Sequence, residues 1–155
     1  MFKKITLLII ICCFISHCGF TPLHSSKKNV NFSIKKITFE GDRTINSFLK
    51  SNLNQFQIKQ GQKQYDIRSF TKYSKKILSK DKTAKITDYE LSSSTVFQIS
   101  LDDKFIKEIV VNEKKNMNNM SDKLEEQKYE RIIKQNFASS ISNKLIIELS
   151  LLNDN

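Results

Sequence analysis

Tyr89-Glu90-Leu91-Ser92-Ser93-Ser94-Thr95-Val96-Phe97-Gln98-Ile99-Ser100-Leu101 is the stretch that decides the fold. Tyr89, Leu91, Ser93, Thr95, Phe97, Ile99 and Leu101 recur at every second position. Successive side chains of a strand point to opposite faces, so this strict period of two places all of them on one face. Asp102-Asp103-Lys104 follows as a tight turn, and Phe105 to Asn112 returns with Phe105, Ile109 and Val111, so residues 86–112 read as a hairpin. Upstream, polar Ser79-Lys80-Asp81-Lys82-Thr83-Ala84-Lys85 is a second hairpin loop. The run before it carries Tyr65, Ile67, Phe70, Tyr73 and Ile77, a spacing that requires a bend or bulge near Ser69. Strands joined this way pair antiparallel, with one face apolar and the other wet.

Helical signals flank these strands. Phe32, Ile34, Ile37 and Phe39 form a short strand ending at Gly41, and Asp42 is a suitable N-cap for a helix behind it. Ile45, Phe48, Leu49, Leu53 and Phe56 lie along one stripe of that helix, and Gly61 closes the region. Residues 114–119 read as a polar connection, after which Ser121 or Asp122 caps the last helix. Glu125, Glu126 and Glu130 sit where negative charge suits a helix N-terminus. Tyr129, Ile132, Ile133, Phe137, Ile141, Leu145, Leu149 and Leu152 supply its apolar stripe. At ~45 Å this helix is longer than a small sheet needs. The order strand, helix, three strands, helix defines an α+β fold: a four-stranded sheet, largely antiparallel or mixed, with two helices packed on one face. The other face and the sheet edges are left for a partner.

The chain has 155 residues and a formal charge of +10. Its first 17 residues have the form of a secretory signal: Lys3 and Lys4, then the apolar run Ile5 to Ile15 interrupted only by Thr6, then Ser16-His17-Cys18. That run is too short to span a bilayer as a helix, which takes about 20 residues. An aliphatic residue three places before a Cys, followed by Ser16, marks Cys18 as a lipidation point, although His17 is bulkier than the usual residue there. The alternative is an uncleaved anchor with Cys18 as a bystander. With cleavage before Cys18 the charge falls to +8, because residues 1–17 hold two lysines and no acid. Residues 18–31, with the chain's only Pro, form a lipidated tether, and residues 32–155 form one domain. Gly19 stands where an Asp would favour retention in the inner membrane.

A basic surface suits nucleic acid, anionic lipid or an acidic partner, but export argues against nucleic acid. Lysine far outnumbers arginine, which occurs only at Arg43, Arg68 and Arg131; this bias is that of an AT-rich genome, so part of the charge carries no function. Cys12 and Cys13 leave with the signal and Cys18 is blocked by lipid, so neither a disulfide nor a thiolate metal site is expected. His24 is the sole histidine of the mature chain and lies in the tether. Nucleophile-base pairs, metal clusters and phosphate-cradling glycine loops are absent, so the chain reads as a binding or assembly component without catalysis or cofactor. Asp102-Asp103 is better explained as a turn than as paired acids. Lys80, Lys82 and Lys85 gather at one loop, with Lys75 and Lys76 just upstream; such ammonium groups attract phosphates, but a solvated loop in a lysine-rich chain is the better explanation from these residues alone.

Several of these pieces resemble one family. Cys18-Gly19-Phe20-Thr21-Pro22-Leu23-His24 is similar to the Cys-Gly-Phe-x-Pro-Leu-Tyr start of the LPS-assembly lipoprotein LptE family, with His24 in place of Tyr. The loop Ser79 to Lys85 leading into Ile86-Thr87-Asp88-Tyr89-Glu90-Leu91 resembles that family's hairpin. Tyr129-Glu130-Arg131 with Asn136-Phe137-Ala138-Ser139-Ser140-Ile141 resembles its last helix. The resemblance implies a lipoprotein anchored through Cys18 on the periplasmic side of a Gram-negative outer membrane. It implies an LptD-like β-barrel as partner, and lipopolysaccharide as a ligand contacted by Lys80, Lys82 and Lys85. An accessory lipoprotein of another envelope transport or secretion machine, with no glycolipid binding, is the competing reading.

Overall fold

The computed structural model describes residues 32–57 and 63–153. The expected signal, tether, lipidation point Cys18 and helix-ending Gly61 lie outside the described residues. Four strands form one sheet in the order β1-β2-β3-β4. They are β1 (Phe32–Gly41), β2 (Lys63–Lys80), β3 (Ile86–Leu101) and β4 (Lys104–Asn118). Helix α1 (Arg43–Leu53) connects β1 to β2 and continues into a 3-10 turn at Asn54–Phe56, while α2 (Lys123–Asn153) follows β4. β1 and β2 are parallel, whereas β2-β3 and β3-β4 are antiparallel hairpins, so the sheet is mixed.

The period-two stretch behaves as its pattern requires. Leu91, Ser93, Thr95, Phe97 and Ile99 are buried beneath the helices, and Tyr65, Ile67, Ser69 and Thr71 meet them from β2. A bulge between Ile34 and Lys36 keeps Ile34 and Ile37 on the same side despite their odd spacing, opposite Tyr65 and Ile67. Phe56 stacks on Phe32 at 6.0 Å, and Phe32 meets Tyr65 edge-on at 6.3 Å, which fastens the end of α1 over the β1-β2 pair. The middle of α2 carries small buried side chains, Ala138 and Ser142, and the Asn52 amide of α1 donates to the Ser142 hydroxyl at 3.4 Å; the sheet below has a buried polar patch of Ser69, Thr71, Ser93 and Thr95. The Thr71 and Thr95 hydroxyls share a hydrogen bond of 3.1 Å.

Five expectations change. β2 runs unbroken through Ser69; its irregularities fall at Ile77/Ser79 and Ser79/Lys80, beside the turn. β4 extends to Asn118, because Lys114, Lys115 and Asn116 pair with Ser92, Leu91 and Glu90, and Met117 is buried behind them. A polar run tolerates the strand because it lies on a sheet edge. Phe105 is 64% exposed, since the irregularity between Ile99 and Ser100 pairs it with Ser100 on the face away from the helices. Tyr129 and Ile132 are exposed as well. The buried positions Ile133, Phe137, Ile141, Leu145 and Leu149 repeat every fourth residue, which turns the stripe ~40° per step, so its N-terminal end is centred on Glu126 instead. Finally, α2 is not overlong: at 31 residues it measures about 46 Å, against about 50–60 Å for strands of 15, 16 and 18 residues.

Gly41 makes the turn from β1 into α1. Its φ is +97°, and an added Cβ would meet the Thr71 carbonyl oxygen at 1.9 Å. That same carbonyl accepts from the Asp42 amide at 2.9 Å, so the neighbour cannot withdraw without losing the bond. Gly41→Ala is expected to destabilise the domain by roughly 2 kcal/mol or more, read as a lowered midpoint in urea unfolding; an unchanged midpoint would contradict this account of the turn.

Candidate functional site

Three surfaces carry the chemistry that the sequence pointed to or concealed. The first is the turn between β2 and β3. Asp81 organises it: its Oδ1 accepts from the Thr83 amide at 2.8 Å, the Thr83 hydroxyl at 2.7 Å and the Lys85 amide at 3.0 Å. The Asp81 amide donates to the Lys85 carbonyl at 2.8 Å, and Ala84 takes a positive φ of 63°. These bonds, the Thr83 hydroxyl foremost and then the Lys85 amide, hold the Asp81 carboxyl below the usual carboxylate range. At the base of the turn Ser79 bonds Thr87 and Asp88, which likewise lowers Asp88, the Ser79 bond contributing most. Asn119 ties the β4-α2 connection to the same place, its side chain donating to the Ile86 carbonyl at 2.8 Å and its amide to Thr87 at 2.7 Å. Lys80, Lys82 and Lys85 therefore project from a well-bonded turn, are exposed, and have no carboxylate within ion-pair distance among the described residues.

Lys75 and Lys76 do not join them. Lys75 points beneath α2, 2.9 Å from Glu126 and 3.0 Å from Glu130, with its ammonium 4.4 Å from the centre of the Tyr89 ring. Lys76 is exposed and paired in register with Glu90. Burial draws Lys75 down, and the hydrogen bonds to Glu126 and Glu130 outweigh it, leaving the ammonium above the ordinary lysine value.

Lys75 belongs to the second feature, a polar network clamped between sheet and helices. The Tyr73 hydroxyl donates to Glu130 at 2.8 Å, and Lys134 lies 3.8 Å from the centre of the Tyr73 ring. Lys134 reaches Asp42 at 3.0 Å, and Asp42 also caps α1 by accepting from the Ile45 amide at 2.9 Å. Burial first, and then the Glu130 carboxylate, push the Tyr73 phenol far up. In sequence, Glu126 and Glu130 read as dipole partners and Asp42 as a cap alone. The missed signal is the four-residue step Glu126, Glu130, Lys134, which is the polar beginning of the buried stripe.

The third surface is the sheet face without helices. Phe70, Val96 and Val110 stand side by side across β2, β3 and β4, with Phe70 53% and Val110 55% exposed. Ser74, Ser92, Ser94 and Ser100 surround this apolar row from the same face. No group of His, Cys, Asp or Glu suited to a metal ion occurs among the described residues, and none of their helices is long and apolar enough to cross a membrane.

No family model matches the chain, and no curated protein matches it in sequence. Its fold is similar to that of rare lipoprotein B from Shewanella oneidensis, with a TM-score of 0.57 and 12% identity over 76% of this chain and 98% of that one. A minor lipoprotein from Acinetobacter baumannii gives 0.52 and 18% over 74% and 94%. An uncharacterized lipoprotein B from Nitrosomonas europaea gives 0.54 and 13% over 81% and 88%. At these identities the likeness is one of fold, and it spans nearly the whole of each neighbour.

The network gives stability a pH dependence. Hydrogen bonds from Lys123 and then Lys75 hold the Glu126 carboxyl at about 2, against an ordinary value of 4.5. A carboxyl with a depressed folded pKa contributes fully above its unfolded value, and the contribution fades as pH falls from about 4.5 toward 2. Glu126→Gln is expected to flatten the stability profile across that window and to cost roughly 1–3 kcal/mol at pH 7. Urea unfolding at several pH values checks it; identical slopes for variant and wild type would refute the role given to Glu126.

Proposed function

We propose that this protein is a non-enzymatic outer-membrane lipoprotein of the lipopolysaccharide export translocon. In this reading Cys18 carries the lipid on the periplasmic side. The domain at 32–155 plugs and helps assemble an LptD-like barrel, and Lys80, Lys82 and Lys85 contact lipopolysaccharide. The observation that carries the reading is the fold it shares with rare lipoprotein B, found behind an N-terminus that begins Cys18-Gly19-Phe20-Thr21-Pro22-Leu23. The surfaces are of the right kind. Barrel interiors are polar, and the face bearing Ser92, Ser94, Lys72 and Gln98 around the Phe70-Val96-Val110 row offers hydrogen-bonding groups about a small apolar centre. The turn displays exposed ammonium groups with no carboxylate at ion-pair distance among the described residues, which suit phosphate as point charges. Three acyl chains on Cys18 would make attachment stable, since one chain alone binds marginally and a second signal is needed for a firm anchor.

Affinity purification of the tagged protein from outer membranes is expected to recover a large barrel protein together with lipopolysaccharide. Replacing Lys80, Lys82 and Lys85 with Glu is expected to leave the barrel in place and to reduce the lipopolysaccharide recovered by about tenfold or more, each lost charged contact being worth about 1.5–3 kcal/mol. Absence of a barrel would defeat the translocon reading. Unchanged lipopolysaccharide with the barrel present would return the turn to a solvated surface.

A further inference from the structure

The two helices leave a cleft of about 440 Å³ between them, lined by Arg43, Thr44, Ser47 and Phe48 of α1 and by Arg131 and Lys134 of α2. It lies on the helical side of the molecule, away from the open sheet face. Glu130 is the one acid on its wall, and that carboxylate is engaged by Tyr73 at 2.8 Å and Lys75 at 3.0 Å. Lys134 is matched by Asp42. Arg43 and Arg131 have no carboxylate partner among the described residues, so the cleft carries an excess of guanidinium charge.

The residue type is informative. Of 26 basic residues only Arg43, Arg68 and Arg131 are arginine, and two of those line this one cleft. Lysine serves the chain wherever a point charge is enough. Arginine offers a planar fork of donors that engages a phosphate through parallel hydrogen bonds, which an ammonium does not reproduce. Arg131 is also steadied, its guanidinium carbon 5.9 Å from the centre of the Phe48 ring. The Thr44 and Ser47 hydroxyls make no hydrogen bond among the described residues and stand ready as further donors. Asp42 already occupies the amide end of α1, so the site is built from side chains and does not depend on the helix terminus.

We propose that this interhelical cleft binds a phosphomonoester, gripped by Arg43 and Arg131 with Thr44 and Ser47 donating to its remaining oxygens. The inference is independent of the role assigned to the β2-β3 turn. The phosphate belongs either to a free small molecule or to the headgroup of a membrane lipid.

The test uses the full chain in a neutral detergent, with nitrogen-15 in its arginines, and follows the side-chain Nε–H signals. Inorganic phosphate is titrated in one series and phosphatidic acid, mixed into the micelles, in another. The signals of Arg43 and Arg131 are expected to shift saturably with at least one probe while that of Arg68 stays in place. A response to phosphate identifies a site open to free phosphates; a response to phosphatidic acid alone identifies a lipid headgroup. Combining Arg43→Gln with Arg131→Gln is expected to weaken binding at least tenfold. The Lys80→Gln, Lys82→Gln, Lys85→Gln triple variant should bind as wild type does. Saturable shifts with neither probe, equal movement of Arg68, or undiminished affinity in the double arginine variant would overturn the proposal.

Discussion

The polar clamp of Asp42, Lys134, Glu130, Tyr73, Lys75 and Glu126 is the constraint on which the arrangement of this protein depends. It joins four elements at once. Asp42 ends β1 and starts α1, Lys134 and the two glutamates come from α2, and Tyr73 and Lys75 come from β2. Removing such charges from water is costly, and their attraction repays the cost only when geometry is good and remaining donors are satisfied. Here Glu126 accepts from Lys75, Lys123 and the Met120 amide, and the Tyr73 and Tyr89 rings lie beneath the two lysines. The clamp specifies where the N-terminal half of α2 lies. The C-terminal half is held differently, by Ile141, Leu145 and Leu149 in the core and by Lys107-Glu148 and Lys144-Glu113 pairs, each at 2.7 Å, to the edge strand.

With both helices committed to one face, the cations take different parts. Lys75, Lys107, Lys134 and Lys144 lie within ion-pair distance of an acid and fasten helix to helix or helix to sheet. Lys80, Lys82, Lys85, Arg43 and Arg131 lack such partners among the described residues and are exposed at two separate places, the β2-β3 turn and the interhelical cleft. Asp81 commits one carboxylate oxygen, Oδ1, to the backbone and hydroxyl of its own loop, and its charge is also felt by Lys85.

The elements most legible in the sequence were those set by local rules. Period two from Tyr89 to Leu101 located β3 and its face, Gly41-Asp42 marked the end of β1 and the cap of α1, and the polar run from Ser79 to Lys85 marked the first hairpin. Features that depend on register were hidden. Phe105 carries the residue type of a core strand, but one irregularity beside Ile99 turns it to the open face. Tyr129 and Ile132 fit a helical stripe that winds away from them, and the continuation of β4 through Lys114-Lys115-Asn116 follows from pairing with β3 that composition does not announce. The turn lysines were visible as a cluster. The clamp and the arginine cleft were not, because the pairs that build the clamp join residues 51 to 92 apart in sequence and, like the cleft, form only when α2 docks. The lipidation point rests on sequence alone, since Cys18 is outside the described residues.

In the proposed function the helix-free face, with its Phe70-Val96-Val110 row, meets the barrel. A photo-crosslinking amino acid at Val110, introduced into the full chain in its native membrane, tests this most directly. An adduct to one large outer-membrane protein is expected after irradiation. A protein that is lipidated and correctly localised yet yields no adduct from this position or from Phe70 would contradict it.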